Sequence, residues 1–326
     1  MTMAIEGFDP KWKDFPDYII GITKEIWEDR GIATLHHYYG PAMPVRSSAS
    51  LVVGNKNVIA ATMATLAEFP DRTLLGEDVI WCGDPKAGLL ASHRLVSTAT
   101  HTRDGMYGKA TGKKLVYRII ADCAAKNNAI YDEWLVRDQG AIVRQMGWDP
   151  KAFAADLIAR EGGPEHCVKP FTPAMDVDGG YNSKGNAHPT GKRYADMLTA
   201  IMGADMKAIA KDYDRAVQLE LPGGVTGHSF GDADQFWMGL RAAFPNAKFE
   251  IHHVIGRDDP EFSPRAALRW SLSGKHEGWG AFGTPTGAEV HVMAMSHAEF
   301  GPWGLRREWV LYDETAVWKQ ILLKTG

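Results

Sequence analysis

One spacing constrains this chain more than any local motif: residues 175 positions apart keep coinciding. The strings "EWLVRD" at Glu133 and "EWVLYD" at Glu308 give the offset, 308 − 133 = 175. The same offset carries Phe69-Pro70 onto Phe244-Pro245, His101 onto His276, Gly105 onto Gly280 and Gly108 onto Gly283. It also carries Thr111-Gly112 onto Thr286-Gly287, Asp138 onto Asp313 and Gln145 onto Gln320. No gap is needed between those points, so the chain reads as two copies of one domain. Its 326 residues are too many for one small domain and ordinary for two.

Each copy places helices before hairpins. In copy one, Ile19, Ile22, Ile26, Ile32 and Leu35 recur at roughly helical spacing. A second helix is expected over Val58 to Glu68, with Asn55 or Asn57 as N-cap and Pro70 beyond its end. Four β-like runs follow, from "TLLGEDVIWC" to "AIYDEWLVRD". Copy two repeats the plan, with helices expected over 194–213 and 233–243 and strands from "AKFEIHHVIG" to "LRREWVLYDE". Helices first and antiparallel hairpins afterwards predict an α+β fold. The expected domains are 1–147 and 192–326. Between them, 148–191 holds a short helix at "DPKAFAADLIARE" and then a Gly-, Pro- and Asn-rich stretch with linker composition, either a surface strap or a mobile segment.

Composition excludes several functions. A net charge of −4 without a basic run argues against a nucleic-acid partner. Cys82, Cys123 and Cys167 form no Cys-x-x-Cys pair, so neither a disulfide framework nor a zinc site is expected, and reduced thiols suit the cytoplasm. No apolar run is long enough for a membrane span, and no signal-peptide pattern opens the chain. His36-His37 and His252-His253 are adjacent pairs; on a strand their rings would diverge, so no metal is expected.

The segments "HTRDGMYGKATGK" and "HEGWGAFGTPTGA" resemble the His-x-Gly, Gly, Pro-Thr-Gly turn of the SnoaL-like polyketide cyclase family. "DEWLVRDQGAIVRQMG" is similar to that family's closing strand and helix, and "AAFPNAKFEIHHVI" to its helix–sheet junction. The family belongs to the nuclear-transport-factor-like superfamily. The resemblance implies two tandem cone-shaped α+β barrels, each a curved antiparallel sheet around a long N-terminal helix, with a deep apolar pocket. It implies no metal or organic cofactor, a pocket acid or base that moves a proton, and an intramolecular pseudo-dimer whose further association stays open. Its outer sheet faces would carry Trp134 and Trp309, at the dimer contact or under the linker. One departure stands out: the family's catalytic Asp position, one residue after the closing-strand Trp, is Leu135 in copy one and Val310 in copy two.

Strand alternation selects the candidates. With Leu135 facing the pocket, Glu133 and Tyr131 face it too; Arg306 and Glu308 accompany Val310. His101 shares a face with Ser97 and His93, and His276 with Leu272 and Trp270. The catalytic candidates are therefore Glu133 with His101 and Glu308 with His276, as proton shuttles or, on the structural alternative, as braces between strands. Tyr117, Tyr131, His93 and Trp270 are substrate-binding candidates. Asp122 and His297 are expected near solvated loops, Arg94 and Arg269 exposed, Asp138 and Asp313 as helix N-caps. The expected function is cofactor-independent proton transfer (cyclisation, isomerisation, dehydration or hydrolysis) on a small, mostly uncharged organic molecule, without nucleic-acid or membrane partners. The alternatives are a non-catalytic binder of a small hydrophobic metabolite, and a pair in which one copy is only a structural partner.

Overall fold

A computed structural model describes residues 5–326. Its contacts divide the chain into two units. The first comprises the chain up to Arg137 with Ala141–Trp148 and Phe171–Ser183; the second comprises Asp138–Gly140, Asp149–Pro170 and Lys184–Gly326.

The first unit opens with α1 (Phe15–Thr23), capped by Asp14, whose side chain accepts the Asp17 N–H, with Pro16 in the first turn. Its buried stripe is Phe15, Tyr18, Ile19 and Ile22. The helix continues as a π turn over Lys24–Glu28 and stops before Arg30, whose φ is 62°. The short α2 (Leu35–Tyr38), the hairpin β1 (Pro44–Ser47) and β2 (Ser50–Val53), and α3 (Asn55–Glu68) follow. The N-cap of α3 is Gly54 at φ 85°, not an asparagine; the Asn55 side chain instead donates to the Tyr39 carbonyl. A meander of β3 (Leu75–Asp84), β4 (Gly88–Thr100), β5 (Lys114–Lys126) and β6 (Ala129–Arg137) completes the sheet, with α4 (Gln139–Met146) after it. Strand order is β2-β1-β6-β5-β4-β3, antiparallel except where β1 joins β6. The core forms where Tyr18, Ile19, Ile22 and Ile26 meet Ala91, Ala121, Cys123 and Ile130.

In the second unit, α5 (Pro150–Arg160) starts at an Asp149 N-cap, and α6 (Pro189–Met202) and α7 (Lys207–Asp212) precede the sheet. The single helix expected over 194–213 is thus two: Gly203 caps α6 and Ala204 has φ 67°, which a continuing helix cannot accommodate. Then come β7 (Tyr213–Leu221), β8 (Val225–Gly227), α8 (Phe230–Ala243), β9 (Lys248–Arg257), β10 (Arg265–Lys275), β11 (Glu289–Gly301), β12 (Gly304–Tyr312) and α9 (Glu314–Thr325). Strand order is β8-β7-β12-β11-β10-β9. β5 and β11, β6 and β12, and α3 and α8 begin and end 175 residues apart. The fold is α+β, with two six-stranded mixed sheets of the same topology.

The segment expected as a linker is shared out. α5 packs on α9, and Glu161 pairs with Lys319 at 2.5 Å. Residues 171–183 lie as a strap on the first unit, where Arg46 binds Asp132, Asp176 and the Val177 carbonyl. Lys184 and Asn186 then bond the Val254 backbone in β9. Among the described residues no helix is long and apolar enough to cross a membrane.

Candidate acid–base site

Glu133 stands on the core face of β6, opposite Cys123 of β5. Tyr39, just after α2, donates to its Oε2 at 2.7 Å, and among the described residues this is the carboxylate's hydrogen bond. Burial pushes Glu133 up to about 7; the Tyr39 hydrogen bond works against that rise and the Asp132 charge adds to it. The carboxyl is therefore poised to give or take a proton near neutral pH. The core that carries its strand partner Cys123 is apolar, with half-buried Trp27, Val58, Ile59 and Leu135 packed against it. The Trp27 ring meets Tyr39 edge-on at 6.4 Å.

Two more polar groups lie buried in this core without a partner among the described residues: the Tyr18 hydroxyl and His93 Nε2. The Tyr18 phenol is held protonated, chiefly by burial and then by the nearby Cys123. His93, on β4, is lowered to about 3 by burial and the Arg94 charge, so its ring is neutral at pH 7. Sequence reasoning reached His93 by alternation but missed Tyr18 and Tyr39, because nothing local shows a helical tyrosine turning its hydroxyl toward a distant strand.

Glu308 occupies the matching place in the second unit but is closed off. Its carboxylate receives the hydroxyls of Tyr194 (2.8 Å) and Tyr213 (2.9 and 3.0 Å), and Trp237 Nε1 donates to Tyr213 at 2.9 Å. Burial raises it to about 7, opposed by those donors. Glu308 has no exposed surface, whereas Glu133 keeps 6%. Beside it, the rings of Trp237 and Trp270 pack at 6.0 Å, and Trp270 Nε1 donates to Ser296. Trp270, expected to touch substrate, is instead a fully buried core residue.

The histidines do not pair with these glutamates. Thr111 N–H donates to His101 Nδ1, so we assign the proton to Nε2, which lies 3.1 Å from Glu68 Oε1. Glu68 also accepts the N–H groups of Met106 and Tyr107, fastening the β4–β5 loop to α3. His276 keeps the threonine, Thr286, but position 243 is Ala where the first unit has Glu68; among the described residues its buried Nε2 has no partner, and its ring lies beside Phe244 and Phe282. Both histidines brace the loop after their strand.

Alternation fails at two places. β6 slips its register between Ala124 and Ala125, leaving Tyr131 as the extra residue, and β12 does the same at Arg306. Ile130 and Glu133 therefore both face the core, while Tyr131 turns to the strap beside Gly180. Trp134 also lies under the strap, 6.3 Å from Tyr181 and stacked by Arg46. Asp122, His297, Arg94 and Arg269, expected near solvent, are all buried. Tyr117 does lie on the core face, hydrogen-bonded to Arg72 and Ser97. Asp313 caps α9 through the Ala316 N–H, and Asp138 accepts the N–H groups of Gly223 and Gly224. Among the described residues no three His, Cys, Asp or Glu side chains group as metal ligands.

No curated protein matches the chain. Among solved structures it is similar to IdmH from Streptomyces antibioticus, at 20% identity over 41% of this chain and 98% of that one, with a TM-score of 0.36. A SnoaL-like polyketide cyclase from Agrobacterium tumefaciens matches at 18% over 41% and 98%, TM-score 0.33. TsrD from Streptomyces laurentii matches at 16% over 40% and 93%, TM-score 0.35. Residues 194–308, from Tyr194 to the Glu308 it hydrogen-bonds, match the family model described as the SnoaL-like domain.

Proposed function

We propose that the first unit performs cofactor-independent acid–base chemistry on a small, largely apolar organic molecule, of the cyclase, isomerase or dehydratase kind, and that the second unit's glutamate is structural. One observation carries this: Glu133 is buried, raised to about 7 and committed to a single donor, whereas Glu308 is saturated by two tyrosines. In its ionised form Glu133 removes a proton from carbon, and in its neutral form it returns one. Tyr39 fixes the carboxylate's orientation, and the unpartnered Tyr18 hydroxyl is available to a developing oxyanion. Cys82, Cys123 and Cys167 are buried and join no disulfide among the described residues, which accords with a reducing cytoplasm.

The test is proton removal from 5-nitrobenzisoxazole, whose ring opens to a cyanonitrophenolate when a base takes its one acidic C–H proton. The wild-type protein is expected to accelerate this beyond free acetate, and Glu133→Gln to lose about 100-fold or more of that rate, the scale of general-base catalysis. Glu308→Gln is expected to keep it. An unchanged rate in Glu133→Gln would overturn the assignment. A protein that binds the probe without converting it favours the second reading, a binder of hydrophobic metabolites, which draws support from Leu135 and Val310 at the family's acid position.

A further inference from the structure

The first unit holds two arginines, one buried and one half-buried, that no carboxylate among the described residues answers. Arg72, on the loop from α3 to β3, is 7% exposed, and its Nε has no partner among the described residues. Arg137, at the end of β6, is half-buried, and its Nε is also without one. Neither guanidinium forms an ion pair among the described residues. Both act on the Tyr117 phenol of β5, which hydrogen-bonds Arg72 and Ser97 and is drawn below its ordinary pKa by the two arginines against the effect of burial. An unanswered buried cation is costly to the fold, so such a pair points to an anion supplied from outside.

The scaffold does not require the cluster. Positions 72, 97, 117 and 137 correspond, 175 residues on, to Ala247, Leu272, Val292 and Tyr312, all buried and apolar or aromatic. The second unit fills with core the same volume that the first fills with charge. Arg137 also follows Glu133 and Leu135 on one strand face, placing the Arg137 and Glu133 Cα atoms roughly 13 Å apart at about 3.3 Å per residue.

We propose that Arg72 and Arg137, on either side of the Tyr117 phenol, form an anion site that takes the carboxylate of a small organic acid, whose apolar body runs along β6 toward Glu133; Ser97 is committed to the Thr73 carbonyl and only braces Tyr117. Only the direction of that body rests on the acid–base reading of Glu133. The acid is a monocarboxylate with an aryl or short alkyl body.

Calorimetric titration with phenylacetate, with neutral phenylacetamide and with inorganic phosphate tests this. Phenylacetate is expected to bind at least tenfold more tightly than the amide. Its affinity should fall at least tenfold in Arg72→Met and in Arg137→Met, and persist in Glu133→Gln. It should also raise the Tm of the wild type and of Glu133→Gln but of neither arginine variant. If Arg72→Met does not fold, the half-buried Arg137 carries the comparison. Retention in Glu133→Gln separates this proposal from the catalytic one, since either can fail alone. Phosphate binding that depends on both arginines, without phenylacetate binding, would overturn the carboxylate in favour of a phosphate ester. Binding of neither anion, or binding indifferent to both arginines, would overturn the site.

Discussion

The Tyr39 hydroxyl sits 2.7 Å from Glu133 Oε2, donating across 94 residues of sequence from the end of α2 to the middle of β6. That hydrogen bond favours the ionised carboxylate against burial.

Removing it has a signed consequence. Tyr39→Phe deletes a donor to the charged form, so Glu133 should titrate still higher, by about one unit for a charge-assisted hydrogen bond worth roughly 1.5 kcal/mol. The pH dependence of proton removal from 5-nitrobenzisoxazole would move upward by that amount. An unmoved profile would mean that another group sets the basicity of the site.

Glu308 should make stability fall as pH rises. Its folded pKa, about 7, lies above its ordinary 4.5, so its contribution is fully present below pH 4.5 and lost as pH rises through 7. The loss amounts to roughly 3 kcal/mol at about 1.4 kcal/mol per unit. Glu308→Gln should remove that share of the slope in urea denaturation, leaving the share of Glu133, which is raised to about 7 as well. His93 and His253, both lowered to about 3, act oppositely, losing stability as pH falls below 6.5, so the difference between variant and wild type isolates the glutamate. Parallel curves for the two proteins would refute the assignment.

The strap is held by buried Arg46 and Asp132, with the Tyr181 N–H also on Asp132 and the Phe171 N–H on the Ser48 carbonyl. Asp132→Asn leaves Arg46 short of its most buried partner and should cost roughly 3 to 5 kcal/mol, as breaking a buried pair does. Chymotrypsin should then cut after Tyr181 faster than in the wild type. Equal cleavage rates would show that Asp176 and the Val177 carbonyl suffice.

Glu68→Ala should free the β4–β5 loop, because Met106 N–H, Tyr107 N–H and His101 lose their acceptor together. About 3 kcal/mol of stability is expected to go, with hydrogen exchange at those two amides reporting it. Retained protection would exclude Glu68 as the loop's anchor.

The repeat, the helix-then-hairpin order and the four long strands of each sheet were legible because each is a periodic signal: 175 residues for the copies, two for the strands. The strands β1, β2 and β8 were not, since three- and four-residue strands are too short to show a period, and nine-residue β7 was missed because its first residue was read as the end of the preceding helix. Alternation placed Glu133 and Glu308 correctly on the core face, yet misplaced Tyr131, because a single bulged residue leaves no mark in sequence. It also offered His101 the wrong glutamate: Glu68 comes from a helix, and strand parity says nothing about helices. The arginines escaped notice because a lone Arg reads as surface until its burial is known.

The strap also bears on how this protein is made. Residues 171–183 belong to the first unit, yet α5 and the rest of Asp149–Pro170, which precede them, belong to the second. When Trp148 leaves the ribosome the first sheet has all six strands, but Arg46 still lacks Asp176 and Val177, which follow only some thirty residues later. The amino-terminal half thus emerges with a buried charge incompletely answered, and completing it must wait for sequence beyond its own sheet. Cutting the gene at residue 148 would make that temporary state permanent.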